Sequence, residues 1–95
     1  MSTIIKPVSV KELFGGIQKI YRFKNDFGAS VVKHPYSYGG EKDLWELAVI
    51  EWNGPYWSLC YSTPITDDVE GYLTDDEVEK ILGRIQSLPM KEELK

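Results

Sequence analysis

The chain predicts an α+β domain: a four-stranded antiparallel meander, a short N-terminal helix, and a C-terminal helix packed on one face of the sheet. Two stretches carry most of that expectation. Residues 44–52 and 57–63 are apolar runs with period-two patterning, joined by Asn53-Gly54-Pro55-Tyr56, and alternation flanking turn residues is the signature of a β-hairpin. Residues 74–88 open on Thr74 with Glu77 three positions later and then carry Val78, Ile81, Leu82, Ile85 and Leu88. That is a capping box followed by an amphipathic helical stripe. Ninety-five residues fit one domain, 1–95, with a core of modest size. Residues 1–7 and 90–95 read as flexible termini.

The elements follow in order. Ser9 to Phe14 reads as the short helix, with Ser9 as N-cap, Glu12 at capping-box spacing, and Val10, Leu13, Phe14 and Ile17 at helical intervals. Gly15-Gly16 ends it. Residues 19–24 and 29–34 form the first hairpin around Asn25-Asp26-Phe27-Gly28, with Gly28 as the residue free to take positive φ. Tyr21 and Phe23 share one face, Arg22 and Lys24 the other. Residues 35–43 form a long loop with Tyr36, Tyr38, Gly39 and Gly40. The central hairpin has two registers open to it: Trp52 opposite Trp57, with Ile50 facing Leu59 and Ala48 facing Tyr61, or a pairing slid along by a two-residue Asn53-Gly54 turn. Both keep the same faces together, and the even positions of the first strand form the side that the terminal helix covers. Trp45, Leu47 and Val49 leave the opposite face apolar too. Such a strand is either covered on both sides or keeps one side for a partner, and cover by the chain's own ends is the stronger reading. Leu73 and Val78 are spaced as a hydrophobic staple, and Asp75, Asp76 and Glu77 complement the helix dipole.

Composition excludes several functions. The hydrophobic share of 42% and aromatic share of 13% belong to a folded protein. A single cysteine, Cys60, rules out an intrachain disulfide and fits a reducing compartment. No apolar run approaches the roughly 18 residues of a membrane span, and the first residues lack the pattern of a signal peptide. The expected location is therefore the cytoplasm, with no membrane association. One His and one Cys give no zinc set, no phosphate-binding glycine loop is present, and the acidic run 67–79 lacks EF-hand spacing. No metal, no cofactor and no catalytic residue is expected. A Cys60–His34 nucleophile pair on adjacent strands is the remaining enzymatic option, and a packed mid-strand cysteine is the better account of Cys60.

Net charge is −4 and unevenly placed. Residues 1–42 hold seven Lys/Arg against three Asp/Glu, a balance of +4, whereas residues 43–95 hold four against twelve, a balance of −8. The two halves are expected to neutralise one another on folding. A basic and an acidic side would instead steer a charged partner. Lys19, Arg22, Lys24, Lys33 and Lys42 beside aromatics would suit single-stranded nucleic acid, but the overall acidity opposes phosphate. A protein partner is the leading expectation, with Tyr36, Tyr38, Lys42 and Trp45 as contact residues. Tyr36 and Tyr38 as lids over the core are the competing account.

Several segments also carry a likeness: residues 27–32, His34-Pro35-Tyr36-Ser37-Tyr38-Gly39-Gly40, residues 44–49 and Thr63-Pro64-Ile65-Thr66-Asp67-Asp68-Val69. Over residues 20–89 the chain resembles a group of short, uncharacterised proteins encoded by bacteriophages and prophages. The resemblance implies a setting, the cytosol of an infected or lysogenic bacterium, and assigns no activity. By class analogy it implies an accessory protein that binds a host or phage protein, or a second copy of itself as a homodimer.

Overall fold

A computed structural model describes residues 5–37, 40–60 and 70–90. Among these residues it is α+β, one antiparallel sheet with a single helix at its C-terminal end. The sheet has six strands in place of the expected four: β1 Ser9–Leu13, β2 Gly16–Arg22, β3 Phe27–Lys33, β4 Trp45–Asn53, β5 Tyr56–Leu59 and β6 Glu70–Leu73, followed by α1, Asp75–Gln86. The first five strands lie in chain order, and β6 pairs with β4. Because β5 takes Ile50–Asn53 and β6 takes Trp45–Leu47, the two share one edge of β4 end to end.

The expected N-terminal helix is strand β1. Leu13 pairs with Gly16 across a two-residue turn in which Phe14 (φ 50) and Gly15 (φ 79) are both left-handed. That is the type I′ geometry, whose twist matches flanking strands. The helical spacing of Val10, Leu13 and Phe14 misled because β1 is an edge strand with little burial to impose alternation; Val10 and Phe14 are exposed. Ile5 packs on the core and Val8 N–H donates to Ile20 O at 2.7 Å.

Gly28 is not the turn residue. Asp26 takes the positive φ of 67, and Gly28 lies within β3, where a Cβ would sit 1.9 Å from Tyr21 O and 2.9 Å from Trp52 Nε1. The missing side chain admits the Trp52 indole, which donates to Tyr21 O at 3.1 Å. Arg22 lies over that indole at 4.7 Å and donates to Gly54 O at 2.9 Å.

Of the two registers open to the central hairpin the structure has Trp52 with Trp57 and Ile50 with Leu59, not the one slid by an Asn53-Gly54 turn. Asn53 also pairs with Tyr56, which leaves a two-residue Gly54-Pro55 turn with Gly54 at φ 61. This matches type II′, with glycine at the first turn position. The expected partner of Ala48, Tyr61, lies outside the described residues.

The face under α1 is the opposite of the one expected. The main cluster joins Tyr21, Phe23, Ala29, Val31, Trp45, Leu47, Val49, Cys60 and Leu73 to Val78, Leu82 and Ile85 of the helix. Ile81 and Leu88 flank it half-buried. Neighbouring strands explain the choice. On the odd face, β2 and β3 add Tyr21, Phe27, Ala29 and Val31, with Phe23 just past β2; on the even face they add Ile20 and Val32 but also Gln18, Arg22, Gly28 and Ser30. A helix buries more apolar area on the first, at roughly 25 cal/mol per Å². The even face keeps a smaller cluster of Ile20, Ile50 and Trp52, while buried Gln18 and Ser30 satisfy each other at 3.1 Å. The central strand is therefore buried on both sides, as its two apolar faces predict.

Both ends of α1 are closed. Thr74 and Glu77 form the capping box, and their hydrogen bonds hold the Glu77 carboxyl below its ordinary range. At the far end, buried Asn25 donates to Ile85 O at 2.9 Å and Leu88 O at 3.0 Å, while its Oδ1 accepts from Phe27 N–H at 3.0 Å. A turn of the sheet thus supplies donors that the helix C-terminus lacks.

Candidate interaction surface

Three connections meet at the end of the sheet where β2 and β4 begin: the Phe14-Gly15 turn, the link from β3 to β4, and the junction from β6 to α1. Each exposes an aromatic side chain. Phe14 is 66% exposed, Tyr36 82% and Tyr72 56%. The Phe14 ring meets His34 edge-on at 5.3 Å and Tyr36 at 6.2 Å.

The link to β4 holds its shape by local bonds. The Ser37 hydroxyl accepts from His34 N–H at 3.0 Å and donates to His34 O at 2.9 Å. Tyr36 N–H donates to His34 Nδ1 at 3.0 Å, which puts the neutral imidazole's proton on Nε2. A 3₁₀ turn over Gly40–Lys42 completes the connection. Between it and the Phe14 turn lies a shallow groove of about 420 Å³, lined in part by Gly16, Ile17, Lys33, His34 and Asp43.

On the β6 side the ladder slips between Trp45 and Leu47, and Tyr72 takes φ 58 at that bulge. Bulges re-aim side chains. The Lys42 ammonium lies 5.8 Å from the Tyr72 ring.

Of the residues expected to contact a partner, Tyr36 and Lys42 are exposed on this rim. Tyr38 lies outside the described residues. Trp45 is buried beneath the rim, at 8% exposure, and is not a free contact. Its indole N–H donates to Asp75 Oδ1 at 2.6 Å, and the Lys19 and Lys33 ammoniums lie 4.8 and 4.2 Å from its ring. The bulk of Trp45 thus closes the core under the first turn of α1, as cover by the chain's own ends predicts. Phe14 and Tyr72 are the rim residues that sequence reading missed. Phe14 precedes a glycine and Tyr72 follows one, Gly71 within β6; the first could have signalled a turn and the second a bulge.

The Cys60–His34 pair loses its geometry. β4 separates β3 from β5, so His34 and Cys60 are not on adjacent strands, and Cys60 is buried with its N–H on Val49 O. Among the described residues no group of three metal-ligating side chains converges. The basic residues of 19–33 are divided, with Lys19 and Lys33 against Trp45 on one face and Arg22 against Trp52 on the other. No described helix is long and apolar enough to cross a membrane. No family model, curated protein or solved structure matches the chain.

Proposed function

We propose that this is a non-enzymatic accessory protein, of the kind phages and prophages encode for use in the bacterial cytosol, and that it binds another protein through the rim of Phe14, Tyr36, Lys42 and Tyr72. One observation carries the reading. Two exposed aromatic residues, Phe14 and Tyr72, occupy left-handed backbone, which is costly for a bulky side chain and is retained mostly where function uses it. Aromatic side chains on a rigid frame are the anchors that interfaces favour. The His34–Ser37 bonds fix the loop in advance, so less order has to be gained on binding.

The test is affinity capture from host lysate with wild type and with a Tyr36→Ala, Tyr72→Asn double variant, both checked for folding by circular dichroism. A polypeptide retained by the wild type and lost from the variant is the expected result. Equal retention by both, or retention of nothing, overturns the reading. Salt-dependent binding of a single-stranded oligonucleotide by the wild type would move the assignment to nucleic acid.

A further inference from the structure

The two edges of the sheet differ in kind. β1 carries Lys11 and Glu12, and charges on an edge strand oppose docking of another sheet. β5 is Tyr56-Trp57-Ser58-Leu59, uncharged and exposed at all four positions. Tyr56 is 77% exposed, Trp57 39% and Leu59 45%. Among the described residues β5 pairs with β4 alone. An exposed, apolar, unguarded edge is a template for another strand.

The ladder between β4 and β5 decides which backbone groups are offered. Cys60 N–H donates to Val49 O at 2.9 Å. Hydrogen-bonded and non-hydrogen-bonded pairs alternate in an antiparallel ladder. With Glu51 opposite Ser58 and Asn53 opposite Tyr56, Tyr56, Ser58 and Cys60 direct their backbone groups at β4. Trp57 and Leu59 direct theirs outward.

We propose that β5 pairs antiparallel with β5 of a second copy about a two-fold axis at Ser58, joining two sheets into one. In that register Trp57 stands opposite the second copy's Leu59, and Leu59 opposite its Trp57. All four are outward-facing residues, so each pair exchanges both of its backbone hydrogen bonds. Shifting the axis to Trp57 would set Leu59 against Pro55, which has no N–H to give. The two-fold also keeps Trp57 and Leu59 of both copies on one face of the joined sheet, where aromatic–aliphatic cross-strand pairs are favourable. The contact is far smaller than a standard interface of about 1,600 Å², so the dimer is weak, with half-association expected at roughly 0.1–1 mM. It lies along the half of β4 that ends at Asn53, away from the rim at Trp45, so it stands or falls independently of the proposed partner site.

Sedimentation velocity from about 20 µM to about 2 mM tests it, together with amide hydrogen exchange at both ends of that range. The expected result is a dimer that grows with concentration, with the Trp57 and Leu59 amides gaining protection as it forms. Tyr56 and Ser58, already bonded to β4, should change little. Leu59→Lys, which keeps a covering stem and adds a charge to the edge, should remain monomeric at every concentration. A wild-type monomer at about 2 mM overturns the proposal. So does a dimer whose Trp57 and Leu59 amides exchange as they do in the monomer, or one that Leu59→Lys leaves intact.

Discussion

Replacing Phe14 with asparagine separates display from bracing at the rim. Phe14 holds φ 50 as the first residue of the turn. The left-handed conformation costs an ordinary L-residue about 1–2 kcal/mol. Asparagine tolerates it, and an asparagine–glycine pair is the preferred type I′ turn. The substitution should therefore recover most of that cost. Against the gain stands the loss of the ring contacts with His34 at 5.3 Å and Tyr36 at 6.2 Å. Aromatic pairs contribute about 0.5–1.5 kcal/mol each, and a ring that is 66% exposed belongs at the lower end, about 1 kcal/mol for the two. The net expectation is a change of about 0 to +1 kcal/mol, or a rise in Tm of up to roughly 8 °C for a domain of this size. Urea unfolding and a thermal melt followed by circular dichroism would measure it. The same variant should bind its partner less well, so it would be at least as stable and less active. A loss of about 1 kcal/mol or more would refute the reasoning, because the rings would then brace the two connections and the exposure of Phe14 would be incidental.

Other substitutions test the frame behind the rim. Asn25→Ala should cost about 2–4 kcal/mol in urea unfolding, since it strands the Ile85 and Leu88 carbonyls and the Phe27 N–H together. Asn25→Asp should be worse, because it sets a negative charge against the negative end of the helix dipole; equal stability of aspartate and asparagine variants would deny the capping role. Gly28→Ala should cost about 3 kcal/mol or prevent folding, since the added carbon collides with Tyr21 backbone and the Trp52 indole; a melt like that of wild type would mean the strands separate freely there. Burial, and then the charge of Glu79, pushes the Tyr21 hydroxyl above its ordinary value of 10.0. A raised value makes the contribution full below the unfolded tyrosine's titration near pH 10 and loses it as pH rises through the folded value. Stability should thus fall on the alkaline side, and Tyr21→Phe should flatten that fall in melts taken from pH 8 to pH 11.

Legibility in the sequence followed the strength of local signals. The Thr74–Glu77 box, the stripe through Ile85 and the hairpin of 44–52 with 57–59 needed only neighbours in the chain, and the structure has them; which residues face each other in that hairpin depended on where its turn falls, which neighbours alone leave open. The helix-bearing face needed sums over strands far apart. In the central hairpin alone the even positions are as apolar as the odd ones; only after β2 and β3 are aligned with β4 do Gln18, Arg22, Gly28 and Ser30 outweigh Ile20 and Val32 on the even face. Edge strands gave the weakest signal, because exposure removes the alternation that marks a half-buried strand. The helical spacing within residues 9–14 has no such alternation to oppose it. Both indoles find their partners far along the chain, Trp45 on Asp75 thirty positions on and Trp52 on Tyr21 thirty-one positions back, so neither bond leaves a local signal in the sequence.

The charge asymmetry bears on what the rim can bind. Folding sets Lys19 and Lys33 across a cleft of about 320 Å³ from Asp75 and Glu79, so basic and acidic halves meet where β2 and β3 face the start of α1. The lysines left near the rim are few: Lys33 is paired with Asp43 at 3.3 Å, and Lys42 lies over Tyr72. Three residues past Tyr72 the helix begins with Asp75, Asp76 and Glu77. A phosphate backbone laid across Tyr36 and Tyr72 would approach those carboxylates with few cations to offset them, and affinity for nucleic acid is set largely by such contacts. A protein surface has no such requirement. It can bury the aromatic rings and place its own basic groups against the helix start, where a rim charge chiefly raises the association rate. On the proposed protein-binding reading, the partner is apolar at its centre and basic on the side that meets α1.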